Sequence, residues 1–355
     1  MRIVGGLDLH RGQVTFDYVD AATGEVHTGR VRPATREAFA RFLGDLPCRE
    51  AAFVVEGCTG WWFVADELAR AGMEAHVADP AEAAALRGRK KRAKTDRADA
   101  RHLRRLLADG RVPESWIPPA HVVECRALAR LYVDLLQDRN GWAQRVHATL
   151  FHHGAPSPGR DLTTPAGQAQ ALELARGLPP AARHAVGVAI AQIRHLSTRL
   201  EPVHAQLVWI GAHQPGARAI QRLYGVGVLT APVIWCELGD VRRFGSSRAA
   251  VRHTGLDITV YDSDGHRSAG HLARQGPATL RWALYEAAES SSRRTAPDYD
   301  YYRRVKAAKG HTIATLSVAR KICRRCYHIL VALGDQALAE PGSAKARRQL
   351  VRPAA

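Results

Sequence analysis

Apolar and polar positions alternate in two rhythms along the first ~110 residues, one with the period of a strand and one with the period of a helix. The two-residue rhythm predicts strands at 2–9, 13–19, 25–31, 51–56 and 74–78. Ala21-Ala22-Thr23-Gly24 is a turn that joins the second and third as a hairpin. The helical rhythm predicts helices over 34–45, 60–72 and 95–109, with Thr59-Gly60 and Asp79-Pro80 as punctuation. Three strands followed by alternating helices and strands describe an α/β layer.

Pro113, Pro118 and Pro119 mark a boundary. From 120 to 153 the pattern is helical, carried by Leu128, Leu131, Leu135 and Leu136. A Pro- and Gly-containing loop follows from His153 to Gly159. Helical spacing returns over 166–212, with Ile190, Ile193, Leu196, Leu200 and Leu207. This is either a long hairpin used as a spacer or for dimerisation, or a helical subdomain packed on the body. Further helices are predicted at 216–223, 228–238, 247–254, 277–290 and 310–333. Residues 255–276, rich in Gly, Ser, Asp and His, read as an ordered loop or short hairpin. The fold class is therefore α/β plus all-α. A ribonuclease-H-like domain is expected over 1–117, a coiled-coil-like spacer over 118–212 and a mainly helical domain over 213–335. A disordered basic tail is expected over 336–355.

Composition narrows the partners. Fifty-one Lys and Arg against 34 Asp and Glu leave a formal charge of +17 in 355 residues. Such a chain favours a polyanion, nucleic acid first and a membrane surface second. There is no apolar run of about 18 residues and hence no expected membrane span. Met1-Arg2-Ile3-Val4 leads straight into a strand, without a signal-peptide core. Six scattered cysteines point to reduced thiols in a cytoplasmic setting. Cys323 and Cys326, with His328 nearby, lack a second cysteine pair for zinc and read as helix packing.

Four acids carry the chemistry: Asp8 within an apolar strand, Glu56 at the end of another, and Asp96 and Asp99 one helical turn apart. Ionised carboxylates beside apolar strands need a cation. Two Mg²⁺ (or Mn²⁺) ions about 4 Å apart suit such a set. Taken singly, Asp96 is also explained as a cap, Asp99 as a surface ion pair and Glu56 as a strand end in solvent, whereas Asp8 lies in a central strand and is the hardest to explain so. The basic run Arg87, Arg89, Lys90, Lys91, Arg92 and Lys94 precedes Asp96 and reads as a phosphate clamp or as a solvated charged loop. Gly225 and Gly227 follow a helix rather than a strand, which excludes a dinucleotide fingerprint. They form either a phosphate-binding helix hairpin or a tight turn. Ser263, in Asp262-Ser263-Asp264-Gly265, is a turn residue with Arg267, Arg274, His266 and His271 close in sequence.

In order and spacing these motifs resemble the DEDD transposases of bacterial insertion sequences (the "IS one-ten" family), relatives of the Piv-type DNA invertases. Gly6-Leu7-Asp8, Val55-Glu56-Gly57 and Lys94-Thr95-Asp96-Arg97-Ala98-Asp99 resemble a Holliday-junction-resolvase-like domain. Tyr224-Gly225-Val226-Gly227, Glu237-Leu238-Gly239-Asp240, Gly255-Leu256, Ser263-Asp264-Gly265 and Gln275-Gly276-Pro277 resemble the serine transposase domain. The resemblance implies that Asp8, Glu56, Asp96 and Asp99 bind metal and that Ser263 is the nucleophile, with Ser268 as a second candidate. It implies DNA cleavage and rejoining through a phosphoserine, a structured guide (bridge) RNA from the element, a dimer or tetramer, and a nucleoid-associated protein. Two rival readings remain at this point. One is a metal-dependent, structure-specific nuclease that activates water. The other is a non-catalytic nucleic-acid-binding protein.

Overall fold

The computed structural model describes residues 1–87, 95–263 and 266–342, the side chains of 259–263 and 266–271 excepted. The chain forms two compact units, one over Met1–Ile117 and one from Pro118 onward.

The first unit is a five-stranded mixed sheet. Its elements in chain order are β1 (Ile3–His10), β2 (Gln13–Asp20), β3 (Val26–Val31), α1 (Arg36–Gly44), β4 (Ala51–Glu56), α2 (Trp61–Arg70), β5 (Glu74–Ala78), α3 (Pro80–Ala85) and α4 (Asp96–Ala108). Sheet order is β3-β2-β1-β4-β5. The first three strands run antiparallel, while β4 and β5 continue parallel to β1. The five strands and three helices expected from the sequence are present within two or three residues at each end. Helix α3 was not expected. Asp79-Pro80, read as punctuation, starts it: Asp79 Oδ1 caps Ala81 N and Glu82 N, and proline occupies the first turn.

Strand alternation sorts the sheet into two faces. Ile3, Leu7, Val14, Phe39, Phe53, Val55 and Leu68 form the main core beneath α1 and α2. Val54, Ala78, Ala83, Leu103 and Leu106 form a smaller one beneath α4. Gly6, Asp8 and His10 lie on the α4 side of β1, since Leu7 and Leu9 face the main core. A Cβ on Gly6 would stand 2.1 Å from Ala100 O and 2.5 Å from Arg104 N, so glycine is what lets α4 lie directly on the strand. Asp17, fully buried on β2 in register with Gly6, receives Arg104 Nε at 2.5 Å and Arg101 Nε at 3.4 Å. Helix and sheet are thus held by one missing side chain and one buried ion pair.

The second unit is mostly helical: α5 (Ala120–His152), α6 (Pro165–Leu174), α7 (Pro180–His213), α8 (Pro215–Ile220), α9 (Thr230–Leu238), α10 (Ser247–Thr254), β6 (Ile258–Ser263), β7 (His266–Leu272), α11 (Ala278–Glu289), α12 (Tyr299–Lys309) and α13 (His311–Leu333). The expected helix over 166–212 is two helices, because Pro179-Pro180 ends one path and begins α7. Helices α5 and α7 pack along each other around Val146, Leu150, Ile190 and Ile193. The α5 start also packs on α9, where Arg126 Nε donates to Cys236 O at 2.8 Å. The segment 255–276 is a two-stranded hairpin, β6 antiparallel to β7. Helix α12 was not expected. Within the segment expected as a tail from 336, Ala337 is buried and its carbonyl accepts from Trp235 Nε1 at 2.7 Å and Gln214 Nε2 at 2.9 Å. Residues 343–355 lie outside the described residues. Cys323 and Cys326 face the core of α13; burial pushes the Cys323 thiol up to about 12 and Cys326 in the same direction. Among the described residues no helix is long and apolar enough to cross a membrane.

Two predictions follow from this packing. Gly6→Ala loses about 1–3 kcal/mol in urea denaturation; a change within about 0.5 kcal/mol, the scale of a neutral surface substitution, contradicts the α4 contact. His253 is pulled down to about 4 by burial and by Arg243, whose Nη2 lies 3.2 Å from its Nε2. A histidine depressed in the fold is stabilising above its ordinary value of 6.5, and that stability is lost as pH falls from 6.5 through about 4. Melting temperatures across that window should fall more steeply for wild type than for His253→Gln, a difference on the order of 3 kcal/mol. Parallel curves contradict it.

Candidate metal centre and serine hairpin

Asp8 sits near the C-terminal end of β1 with its side chain 14% exposed. Asp96 opens α4, where Thr95 caps the helix by accepting from Ala98 N at 3.3 Å. Because α4 lies on the Gly6 face, its first residue arrives beside Asp8 and His10. His10 Nε2 is 3.2 Å from Asp8 Oδ2 and 3.7 Å from Asp96 Oδ1. One ligand atom from each of the three residues lies within 4.8 Å of the others.

Burial pushes the Asp8 carboxyl above its ordinary range; His10 opposes that shift, and the charges of Asp96 and Asp99 add to it. Two carboxylates and an imidazole that crowd one another in this way fit a divalent cation, which would remove the repulsion. Asp96 is also aimed. Gln13 Nε2 donates to its Oδ2 at 2.9 Å, and Arg32 Nε donates to Gln13 Oε1 at 2.9 Å. These residues line an open depression of about 650 Å³.

The other two acids are placed differently. Leu7 pairs with Val55 in the parallel register, so Asp8 and Glu56 leave neighbouring strands side by side. Cys58 feels both: burial raises its thiol, and Glu56 and Asp8 raise it further. Glu56 nonetheless stands outside the close three-residue cluster. Asp99 is buried one turn into α4, and its carboxylate accepts a hydrogen bond from Arg87 Nη1. Arg87, expected on a phosphate, is thus held on one of the acids. Arg89, Lys90, Lys91, Arg92 and Lys94 lie outside the described residues.

Sequence reading passed over His10, Gln13 and Arg32. The signal for His10 was present, because Asp8 and His10 are two apart on one strand and share a face.

In the second unit, Ser263 is the last residue of β6, opposite His266. Arg267 pairs with Asp262, and Ser268 with Tyr261, across the same hairpin. His271 lies further along β7. Asp264 and Gly265 lie outside the described residues. Arg274, at the hairpin base, is exposed and adopts a left-handed φ of 53°, with its N–H bonded to Gly255 O at 3.1 Å. Gly225 has a different explanation from phosphate binding. Its φ is +87°, and a Cβ there would stand 2.2 Å from Ala287 O on α11. The cleft that Gly225 and Gly227 line also holds Glu286, Glu289 and Arg293.

An α/β sheet that gathers acids where a strand end meets a helix start is a site suited to metal-assisted chemistry on phosphates. Comparison with known proteins gives the family. Residues 5–153 match a transposase profile of the DEDD, IS110 type, and residues 217–303 match the Transposase IS116/IS110/IS902 family. The chain belongs to this family of insertion-sequence transposases. It is 27% identical over 305 residues to y4rJ of Sinorhizobium fredii, a protein provisionally named as a transposase, covering 80% of this chain and 74% of that protein. It is 24% identical over 261 residues to the transposase for insertion sequence element IS1328 of Yersinia enterocolitica, covering 72% of this chain and 74% of that one.

Asp8→Asn tests the centre. The substitution removes a carboxylate that burial and its neighbours oppose, so the metal-free variant should melt at or above the wild-type temperature at neutral pH. Wild type should gain stability on adding Mn²⁺ or Mg²⁺, and the variant should lose that gain. Equal metal-induced shifts in both proteins would contradict the assignment.

Proposed function

We propose that this chain excises and integrates its own insertion sequence by cutting DNA with Ser263 while the acids of the first unit hold the reacting phosphodiester. The observation that carries the reading is the convergence of Asp8, His10 and Asp96 within 4.8 Å in a chain of the transposase family. The first unit, 1–117, is read as a ribonuclease-H-like domain. The helices over 118–212 are read as a spacer, and the chain from 213 as a serine transposase domain.

Asp8, Asp96 and His10 would hold a divalent cation, Mg²⁺ or Mn²⁺, with Glu56 and Asp99 completing the set when two ions are bound. Such ions supply charge neutralisation and polarise a phosphate oxygen. Gln13 and Arg32 keep Asp96 pointed at the site. The Ser263 Oγ forms a bond to phosphorus as the bond to one sugar oxygen breaks. The serine proton passes to a base, for which His266 and His271 are the candidates, and the leaving sugar oxygen takes up a proton. The phosphoserine conserves the bond energy, so the reverse attack by a sugar hydroxyl rejoins a strand. A charge of +17 supports both DNA and a guide RNA as partners. Self-association into a dimer or tetramer belongs to the same reading.

Incubation with labelled element-end DNA, its flanking RNA and Mg²⁺ should give a protein–DNA adduct that survives denaturation. Ser263→Ala should abolish it, and Ser268→Ala should not. Cleavage without any adduct in wild type would contradict the serine mechanism and favour activated water.

A further inference from the structure

The second unit carries a basic cavity that neither the metal centre nor the serine hairpin uses. It lies between the start of α10 and the middle of α13, has a volume of about 770 Å³, and is lined by Ser246, Arg248, Arg252, Asp257, Arg320 and Arg324. Four guanidinium groups face one carboxylate. That carboxylate is engaged by Arg252, whose Nε is 3.6 Å from Asp257 Oδ2. Arg320 is a fixed wall, since its Nε donates to Leu256 O at 2.6 Å. Burial, and the neighbouring charge of Arg324 as a lesser cause, hold the Arg320 guanidinium below its ordinary range. Arg248 and Arg324 are exposed. Among the described residues neither is matched with a carboxylate. Asp257 offsets only part of this positive charge, and four like charges against one counter-charge are costly, a cost that an anion in the cavity lowers.

We infer that this cavity grips the phosphodiester backbone of a nucleic acid strand. Guanidinium groups suit phosphate because they present paired N–H donors in a planar fork. Ser246 marks the N-terminal end of α10, where its hydroxyl already caps Ala249 N at 3.2 Å, and the helix dipole adds positive potential at that end. The position explains the use. Ile258 borders the cavity and begins β6, which ends at Ser263. A six-residue strand spans about 17 Å, so a backbone held here passes within a few nucleotides of that strand end. The grip itself stands without Ser263. Its role in presenting a strand for cleavage rests on the serine reading.

The test measures binding of the full chain to mixed-sequence single-stranded DNA and RNA over a series of salt concentrations. Arg248→Ala/Arg324→Ala should lower the slope of log affinity against log salt by about 1.4, two phosphate contacts on a single strand. Arg248→Gln and Arg324→Gln should each lower it by about 0.7. Arg248→Lys/Arg324→Lys should keep the slope. Loss on DNA alone, on RNA alone or on both supports the inference and says which backbone the cavity holds. A wild-type slope in a double variant with a wild-type melting curve overturns it. So does an equal loss in the control Arg70→Ala/Arg176→Ala, which lies outside the cavity. A missing protein–DNA adduct in wild type would sink the serine reading and leave the slope result standing.

Discussion

The contact of α4 with β1 over Gly6 is the constraint on which the first unit's chemistry depends. A side chain at Gly6 would collide with helix backbone, so helix and strand meet without an intervening layer. Asp17 fastens the helix from the neighbouring strand through Arg104 and Arg101. Asp17 is fully buried, and loss of both arginines would leave its charge uncompensated, which favours the arrangement in which α4 keeps them on it. The first residue of α4 therefore has little freedom, and Asp96 stands opposite Asp8 and His10. The grouping of Asp8, His10 and Asp96 is a consequence of backbone packing before it is a matter of ligand choice.

Charge is distributed unequally over what this packing creates. Asp8 is crowded by burial and by two other acids, and its shift records that crowding. Asp99 has Arg87 as a cation, and Asp96 has Gln13 as a neutral donor. The acids thus differ in what surrounds them: at Asp8 repulsion offset only by His10, at Asp99 an ion pair with Arg87. In the second unit the imbalance is reversed, with guanidinium groups collected around the path to β6. Both arrangements gather like charges, carboxylates in the first unit and guanidinium groups in the second.

Much of this was legible in the sequence where pattern and structure share a cause. All five strands of the sheet were legible: β1, β2 and β4 bury one or both faces, while β3 buries only Val31 and is announced by the turn before it. Asp8 and Asp96 were legible because an acid in an apolar strand and an acid at a helix start are both conspicuous. Other parts were not. Helix α12 buries only Tyr302, so it lacks the apolar stripe that announces a helix. Asp79-Pro80 signals a break and a helix start equally well, and only the former was taken. The partnership of Arg87 with Asp99 joins residues twelve apart across α3 and α4, which no local spacing encodes. Gly225 reads in the sequence either as a phosphate-binding hairpin or as a tight turn, and neither reading encodes that α11 leaves no room for a Cβ there.

The central claim is that Asp8, His10 and Asp96 form one cation site. Anomalous diffraction from crystals of the full chain grown with Mn²⁺ tests it directly. The account predicts an anomalous peak bounded by the Asp8 and Asp96 carboxylates and the His10 imidazole, absent in crystals of Asp8→Asn. Ordered density for all three side chains with no peak between them would contradict it.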